Sequence, residues 1–478
     1  MGSYDSRKSA FKYYRDQTFS RVFNTSTFLG NVVIAFLITY FIPFENASPA
    51  MDYVLFLTVL AVGLWVTEAI PPFAVGIFII GYLVFTLGSD YFLETPMPVE
   101  AYVGTWTSDV IWLLLGGFFL AEGMKQVELD RTLFRFTVRR FGSKPKRLLY
   151  GLMMMTAAAS MFMSNTATTA MMVGSIMPLV TKLGKGNALT RSLLIGIPAA
   201  ASVGGIGTII GSTPNAIAVG ALETVGIKIT FLTWMVFGVP LALFLVWSFW
   251  KYLSSKAVLD VEDLDLSFLD DEPEHLVPVK EKWIVILTLF FTVLLWSTES
   301  LHGIPLAATS AVPIVVLTLT RIISADHVRR LPWDTLMLVA GGLALGLSIV
   351  DVGLADKFIV MLNSFEFPLL LLAIIFGYLT LGMSNIMSNT AAAAILIPIT
   401  LGLTGNYQVS VPLIIALSAS CALFLPVSTP PNAIAYSTNL LEQKDFRIGG
   451  IYFAGIAPVL IFPLSMLVAY LLSLGFSL

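Results

Sequence analysis

Histidine and cysteine are almost missing from this chain, and charge is scarce. Of 478 residues, three are His, one is Cys and 12% are Asp, Glu, Lys or Arg. The lone Cys421 forms no internal disulfide, and its apolar run marks it as an inert small hydrophobe. His275, His302 and His327 fall in a polar linker or near the ends of apolar segments. Intramembrane catalysis wants an acid, base or metal cluster inside those segments, so the chain is not expected to be an enzyme. The deficit of charge is sharper locally. No Lys, Arg, Asp, Glu or His occurs from Leu148 to Thr181, Phe367 to Thr404 or Val411 to Leu441. The polar, basic stretch from Met1 to Arg21 lacks the apolar core of a signal peptide and reads as a cytoplasmic amphipathic lead-in.

What is abundant is apolar surface. Hydrophobic residues make up 57% of the chain and the mean hydropathy is +0.86, more than a soluble domain of this length can bury. The lipid bilayer is the natural solvent, and the expected fold class is an all-α polytopic membrane protein with about 11 transmembrane helices. Spans are expected near Phe28–Phe44, Tyr53–Ile70, Phe73–Gly88, Val110–Met124, Leu193–Leu222 and Leu232–Leu253. A second set lies near Trp283–Thr298, Leu306–Arg321, Leu336–Val350, Val411–Leu441 and Ile451–Leu474. Leu148–Phe162 and Ala167–Leu183, on either side of a Ser-Asn-Thr break, are each short for a crossing of about 20 residues. They suit a re-entrant helical hairpin, and a second split pair surrounds Ser388. Between the halves, residues 254–282 are polar and acidic, as a cytoplasmic linker should be.

The halves repeat one another. Leu64-Trp65-Val66-Thr67-Glu68 answers Leu295-Trp296-Ser297-Thr298-Glu299. Asp109 before Gly116-Gly117 answers Asp334 before Gly341-Gly342, and Val127, Leu129 answer Val352, Leu354. Ser164-Asn165-Thr166 answers Ser388-Asn389-Thr390, and Ser212-Thr213-Pro214-Asn215 answers Ser428-Thr429-Pro430-Pro431-Asn432. Basic residues from Lys125 to Arg147 precede the first hairpin, whereas Asp351, Asp356, Lys357 and Glu366 precede the second. By the positive-inside rule the halves are inserted oppositely, an inverted repeat with the N-terminus cytoplasmic and the C-terminus external. The expected organisation is a lead-in at 1–27, a first repeat at 28–253 with its tip at 164–166, the linker at 254–282 and a second repeat at 283–478 with its tip at 388–390.

Proline removes a donor and clashes with the preceding turn, so the spans holding Pro214 and Pro430-Pro431 should unwind there. Unwound backbone at membrane depth survives only when buried in protein or lining a wet cavity. Half-helix N-termini suit a carboxylate, and freed carbonyls, amides and hydroxyls suit Na+. A dianion at these breaks would meet only neutral donors, which calls for co-bound cations or oriented dipoles. Ser, Thr and Asn often serve only as interhelical glue, but four paired breaks in inverted copies favour a shared site. Asp109 and Asp334 read as helix N-caps, Glu68 and Glu299 as structural residues near helix ends, and Met153, Met154, Met155, Met161 and Met163 as adaptable packing.

At these residues the chain resembles, over nearly its full length, the divalent anion/sodium symporters, the INDY-type dicarboxylate and citrate carriers. The resemblance implies a homodimer in a bacterial inner membrane, with scaffold and transport domains working as an elevator. It implies substrate contacts from Asn165, Thr166, Ser212, Ser388, Asn389, Thr390 and Thr429. One sodium site would use Ser160, Ser164, Asn165 and the Gly211 carbonyl; the other would use Ser384, the Met387 carbonyl, Asn389 and the Val427 carbonyl. Thr213 stands where the second repeat has Pro430, and Ser384 where a relative carries Thr; both keep an oxygen. The implied cargo is succinate, malate or fumarate with Na+ as co-transported ion, no organic cofactor and no nucleic acid partner. Sodium-independent exchange and citrate carriage remain the alternatives.

Overall fold

The computed structural model describes residues 24–41, 44, 47–256, 264, 277–363 and 368–475. Most of the basic lead-in, and the linker's acids from Asp260 to Glu272 with His275, lie outside them. Among the described residues there are helices and no strands. The first half runs α1 (Asn24–Phe41), α2 (Pro49–Thr67), α3 (Pro72–Leu87), a short α4 (Glu100–Gly104), α5 (Asp109–Gln126), α6 (Leu129–Phe141), α7 (Pro145–Ser160), α8 (Asn165–Leu183), α9 (Ala188–Gly204), α10 (Thr213–Thr224) and α11 (Phe231–Lys256). The second runs α12 (Val279–Ser297), α13 (Glu299–His302), α14 (Leu306–Leu319), α15 (Ala325–Arg329), α16 (Trp333–Asp351), α17 (Leu354–Asn363), α18 (Leu369–Ile386), α19 (Asn389–Thr400), α20 (Asn406–Ala419), α21 (Pro430–Ser437) and α22 (Phe446–Ser473).

Eight of these segments are long and apolar enough to cross a bilayer. The count falls short of the eleven expected for visible reasons. Helices α3 and α14 have 16 and 14 residues, and α12 spends its first turn on Lys280, Glu281 and Lys282. Both Pro-bearing spans are interrupted where the sequence requires: α9 ends in a 3-10 turn at Gly205–Gly207 and the chain resumes as α10 at Thr213, while α20 stops at Ala419 and α21 starts at Pro430. Two elements escaped the hydropathy reading because they are amphipathic and not apolar. They are α6, which buries Phe134 and Val138 four residues apart, and its repeat counterpart α17.

The halves interlock. Helix α3 packs on α16 of the other half, and α5 packs on α14. One glycine of each Gly-Gly pair sits where the backbones of the two halves come close. A Cβ on Gly341 would stand 2.2 Å from Gly76 Cα, and one on Gly116 would stand 3.0 Å from Ser310 O. Asp109 and Asp334 are not the expected N-caps. Ser108 caps α5 through its hydroxyl and Pro332 precedes α16. Asp109 instead accepts the Ala307 N–H at 3.0 Å, so it caps α14, a through-space role no local pattern announces. Glu68 closes α2 at a left-handed φ of 49°. Glu299 is buried and takes Lys228 Nζ at 2.6 Å. Cys421 is buried, as its apolar run suggested.

Candidate functional site

Each hairpin tip is built by one hydroxyl cap. Ser164 Oγ accepts the Ala167 N–H, and Ser388 Oγ accepts the Ala391 N–H, both at 3.1 Å. These caps start α8 and α19 at Asn165 and Asn389. Four residues before each tip serine, a buried hydroxyl meets the amide: Ser160 Oγ and Ser384 Oγ lie 2.6 Å from Asn165 Oδ1 and Asn389 Oδ1. The end of the Asn165 amide that faces Ser160 also faces the Ala201 carbonyl at 3.0 Å and the Gly211 carbonyl at 3.2 Å. With nitrogen turned that way, it donates to all three. With oxygen turned that way, acceptors crowd acceptors, an arrangement that only a cation relieves. In the second half Ser384 Oγ donates to the Ala419 carbonyl at 3.2 Å. Met387 is buried beside the tip. Val427, expected to contribute its carbonyl, is a largely exposed residue at 77%.

The unwound segments are stapled by asparagines that sequence reasoning had quoted but given no role. Asn215 Nδ2 donates to the Gly205 and Thr208 carbonyls at 3.0 and 2.8 Å. Asn432 Nδ2 donates to the Leu425 and Leu423 carbonyls at 3.0 and 3.4 Å. Trp234 adds an indole N–H to Ile206 O at 2.9 Å, and Thr208 Oγ1 donates to Met161 O, tying the first break to the first tip. At the second break, Thr429 Oγ1 caps α21 by accepting the Asn432 N–H at 3.3 Å. Ser212 makes no such cap; its hydroxyl sits 3.0 Å from Ser420 Oγ, joining the two breaks directly.

Both tips and both breaks face one cavity of about 610 Å³. Asn165, Thr166, Ser212, Ser388, Asn389, Thr390 and Thr429 all line it, together with Ser164 and Gly211, whereas Ser160 and Ser384 stand one layer behind their asparagines. The N-terminal turns of α8, α10, α19 and α21 therefore converge on one space. Each carries a partial charge of roughly +0.5 at most, so together they approach the charge of a dianion without a basic side chain. One expectation needs correcting: the lining is not wholly neutral, because Asp334 reaches it by folding from α16. Ser202 also lines the cavity, and its buried hydroxyl has no hydrogen-bond partner among the described residues. Neither residue lies in a break motif, so neither was visible in sequence.

The match to the citrate transporter family runs over residues 62–418. The chain belongs to that family. This transporter is also 29% identical to the sodium-dependent dicarboxylate transporter SdcS of Staphylococcus saprophyticus, over 94% of this chain and 92% of that one. To SdcS of Staphylococcus aureus it is 28% identical, over 91% and 88%. These bear out the resemblance to the divalent anion/sodium symporters. Among solved structures, the YdaH transporter of Alcanivorax borkumensis superposes with a TM-score of 0.53 at 12% identity, covering 85% of this chain and 99% of that one. MtrF of Neisseria gonorrhoeae gives 0.54 at 13%, covering 85% and 96%. These two show the fold alone. The chain is an integral membrane transporter, not an enzyme.

Proposed function

We propose that this protein carries C4 dicarboxylates, succinate, malate or fumarate, by symport with Na+. The observation that supports the reading best is the convergence of four helix N-termini on a cavity without a basic side chain. Such a site neutralises two carboxylates by oriented dipoles and leaves cation sites to complete the balance. The Asn165 amide facing Ser160 Oγ and the Ala201 and Gly211 carbonyls supports a cation there. A bound Na+ would fix the amide with its oxygen inward and its nitrogen toward the cavity, so that the ion prepares a donor for the anion. Ser384, Asn389 and the Ala419 carbonyl provide the second such cluster. The relatives' dependence on sodium, as their names state it, agrees with this.

The same reading makes α7 to α11 and α18 to α22 a transport domain that moves as an elevator against α1 to α5 and α12 to α16 as scaffold, with α7–α8 and α18–α19 as re-entrant hairpins. It takes the working unit as a homodimer in a bacterial inner membrane, with the N-terminus cytoplasmic and the C-terminus external. Uptake of labelled succinate into proteoliposomes tests the core of it. Uptake is expected to need inward Na+, to fall to background with choline, and to need no internal dicarboxylate. A requirement for internal dicarboxylate in place of Na+ would mean exchange. Asn165→Ala and Asn389→Ala are each expected to abolish uptake while leaving the protein folded. Normal transport by either variant removes that tip from the site.

A further inference from the structure

A second cavity of about 370 Å³ adjoins the first, and the two share Phe118, Ala121, Met163, Ser164 and Pro332. They differ in charge. The main cavity holds one carboxylate and no cation, while Lys125, Arg330 and Glu122 bound the second. Glu122 is already engaged, with Lys125 Nζ 3.8 Å from its Oε2 and Gln126 Nε2 donating to its Oε1 at 2.6 Å. Two acids lie four residues from Arg330: Asp326 is paired with Arg329, and Asp334 lines the main cavity. Among the described residues the Arg330 guanidinium has neither a carboxylate nor a hydrogen-bond partner. It closes α15 as its C-cap, two residues before Pro332 at the shared wall. An anion moving from this side toward the Ser164 tip passes an uncompensated cation with a planar fork of donors suited to a carboxylate.

We propose that Arg330, assisted by Lys125, forms an anion-staging subsite that captures one carboxylate of a dicarboxylate and passes it to the tip at Ser164. The proposal rests on the dicarboxylate reading above. A groove walled by protein focuses the field of such a cation and raises the local concentration of anions by roughly 10-fold or more. Placing the cation outside the main cavity speeds capture without adding a fixed charge to the group that must let the substrate go. Arg330 is thus a positioning residue for entry, not a ligand in the transported complex.

Two measurements separate this subsite from the choice of substrate. In the first, Ala170→Cys places a thiol on an exposed position lining the second cavity, and the native Cys421 is only 1% exposed. Its rates of modification by an anionic and a cationic thiosulfonate are compared with and without Arg330→Gln. The anionic-to-cationic ratio should fall about 3- to 10-fold with Arg330→Gln at low ionic strength, and Arg330→Lys should preserve it. In the second, Arg330→Gln should raise the KM for succinate by a similar factor, keep Vmax within about twofold, and lose its effect in about 0.5 M salt, where screening is strong. An unchanged thiol ratio overturns the subsite. A lowered ratio with an unchanged KM overturns its role in entry. A lowered ratio in a protein that transports no dicarboxylate leaves the anion subsite standing and removes the cargo assignment instead.

Discussion

Substituting the adjacent glycines of α16 one at a time isolates the energy of the contact that locks the halves together. A Cβ on Gly341 would lie 2.2 Å from Gly76 Cα and 2.3 Å from Gly76 O, backbone that cannot rotate away. Carbon pairs settle near 3.5 to 4.0 Å, so α3 and α16 must part by about 1 Å or more. A Cβ on Gly342 would meet only Ala394 Cβ, at 3.6 Å, an ordinary contact. Alanine gains up to about 1 kcal/mol of helix propensity over glycine at either position. That gain cancels in the comparison, and what remains is the overpacking cost of about 1–3 kcal/mol. Gly341→Ala is therefore expected to melt well below Gly342→Ala, which should melt at or slightly above the parent. Thermal unfolding in mild detergent, followed by tryptophan fluorescence, reads the order. If Gly341→Ala is as stable as Gly342→Ala, the backbone contact between α3 and α16 does not hold the halves together.

Asn215→Ala and Asn432→Ala should each lower stability by about 1–3 kcal/mol, because buried carbonyls at the breaks lose their donor; Asn215→Asp should be at least as damaging, since an ionised carboxylate donates nothing, and melting curves check both. Lys228→Gln should cost about 1–2 kcal/mol, less than a fully buried pair because the lysine side chain is 55% exposed, by leaving Glu299 without its cation. The hydrogen bond to Glu299 holds Lys228 above the ordinary lysine range, opposed by partial burial. A raised lysine pKa adds stability that is fully present below its unfolded value and fades as pH rises through the folded one. The difference between parent and Lys228→Gln should therefore be flat across neutral pH and shrink in strong alkali; a loss of the difference near neutrality would show that the pair does not carry it.

Sequence made the spans and breaks legible because their causes are local. Apolar length decides a crossing, and Pro214 and Pro430 unwind the helices that contain them wherever the rest of the chain lies. The tips at Ser164 and Ser388 were legible for the same reason, since a hydroxyl cap acts on an N–H three residues away. What escaped is through-space. Asp109 caps α14 from α5, Asp334 joins a cavity whose other walls lie in distant segments, and Arg330 acquires meaning only beside Lys125. Helices α6 and α17 escaped because moderate amphipathicity is drowned by their apolar neighbours, although the repeat of Val127, Leu129 in Val352, Leu354 marks both starts.

The reciprocal pairing of α3 with α16 and α5 with α14 has a consequence for biogenesis. Gly76 emerges from the ribosome roughly 260 residues before Gly341, an interval on the order of tens of seconds at ordinary elongation rates. Throughout that wait the small-residue faces of α3 and α5 have no native partner, and lipid or an insertion chaperone must occupy them. Assembly of the frame is thereby tied to completion of the chain. A truncated product would leave two narrow, poorly packed grooves in the bilayer, a defect that membrane quality control can detect.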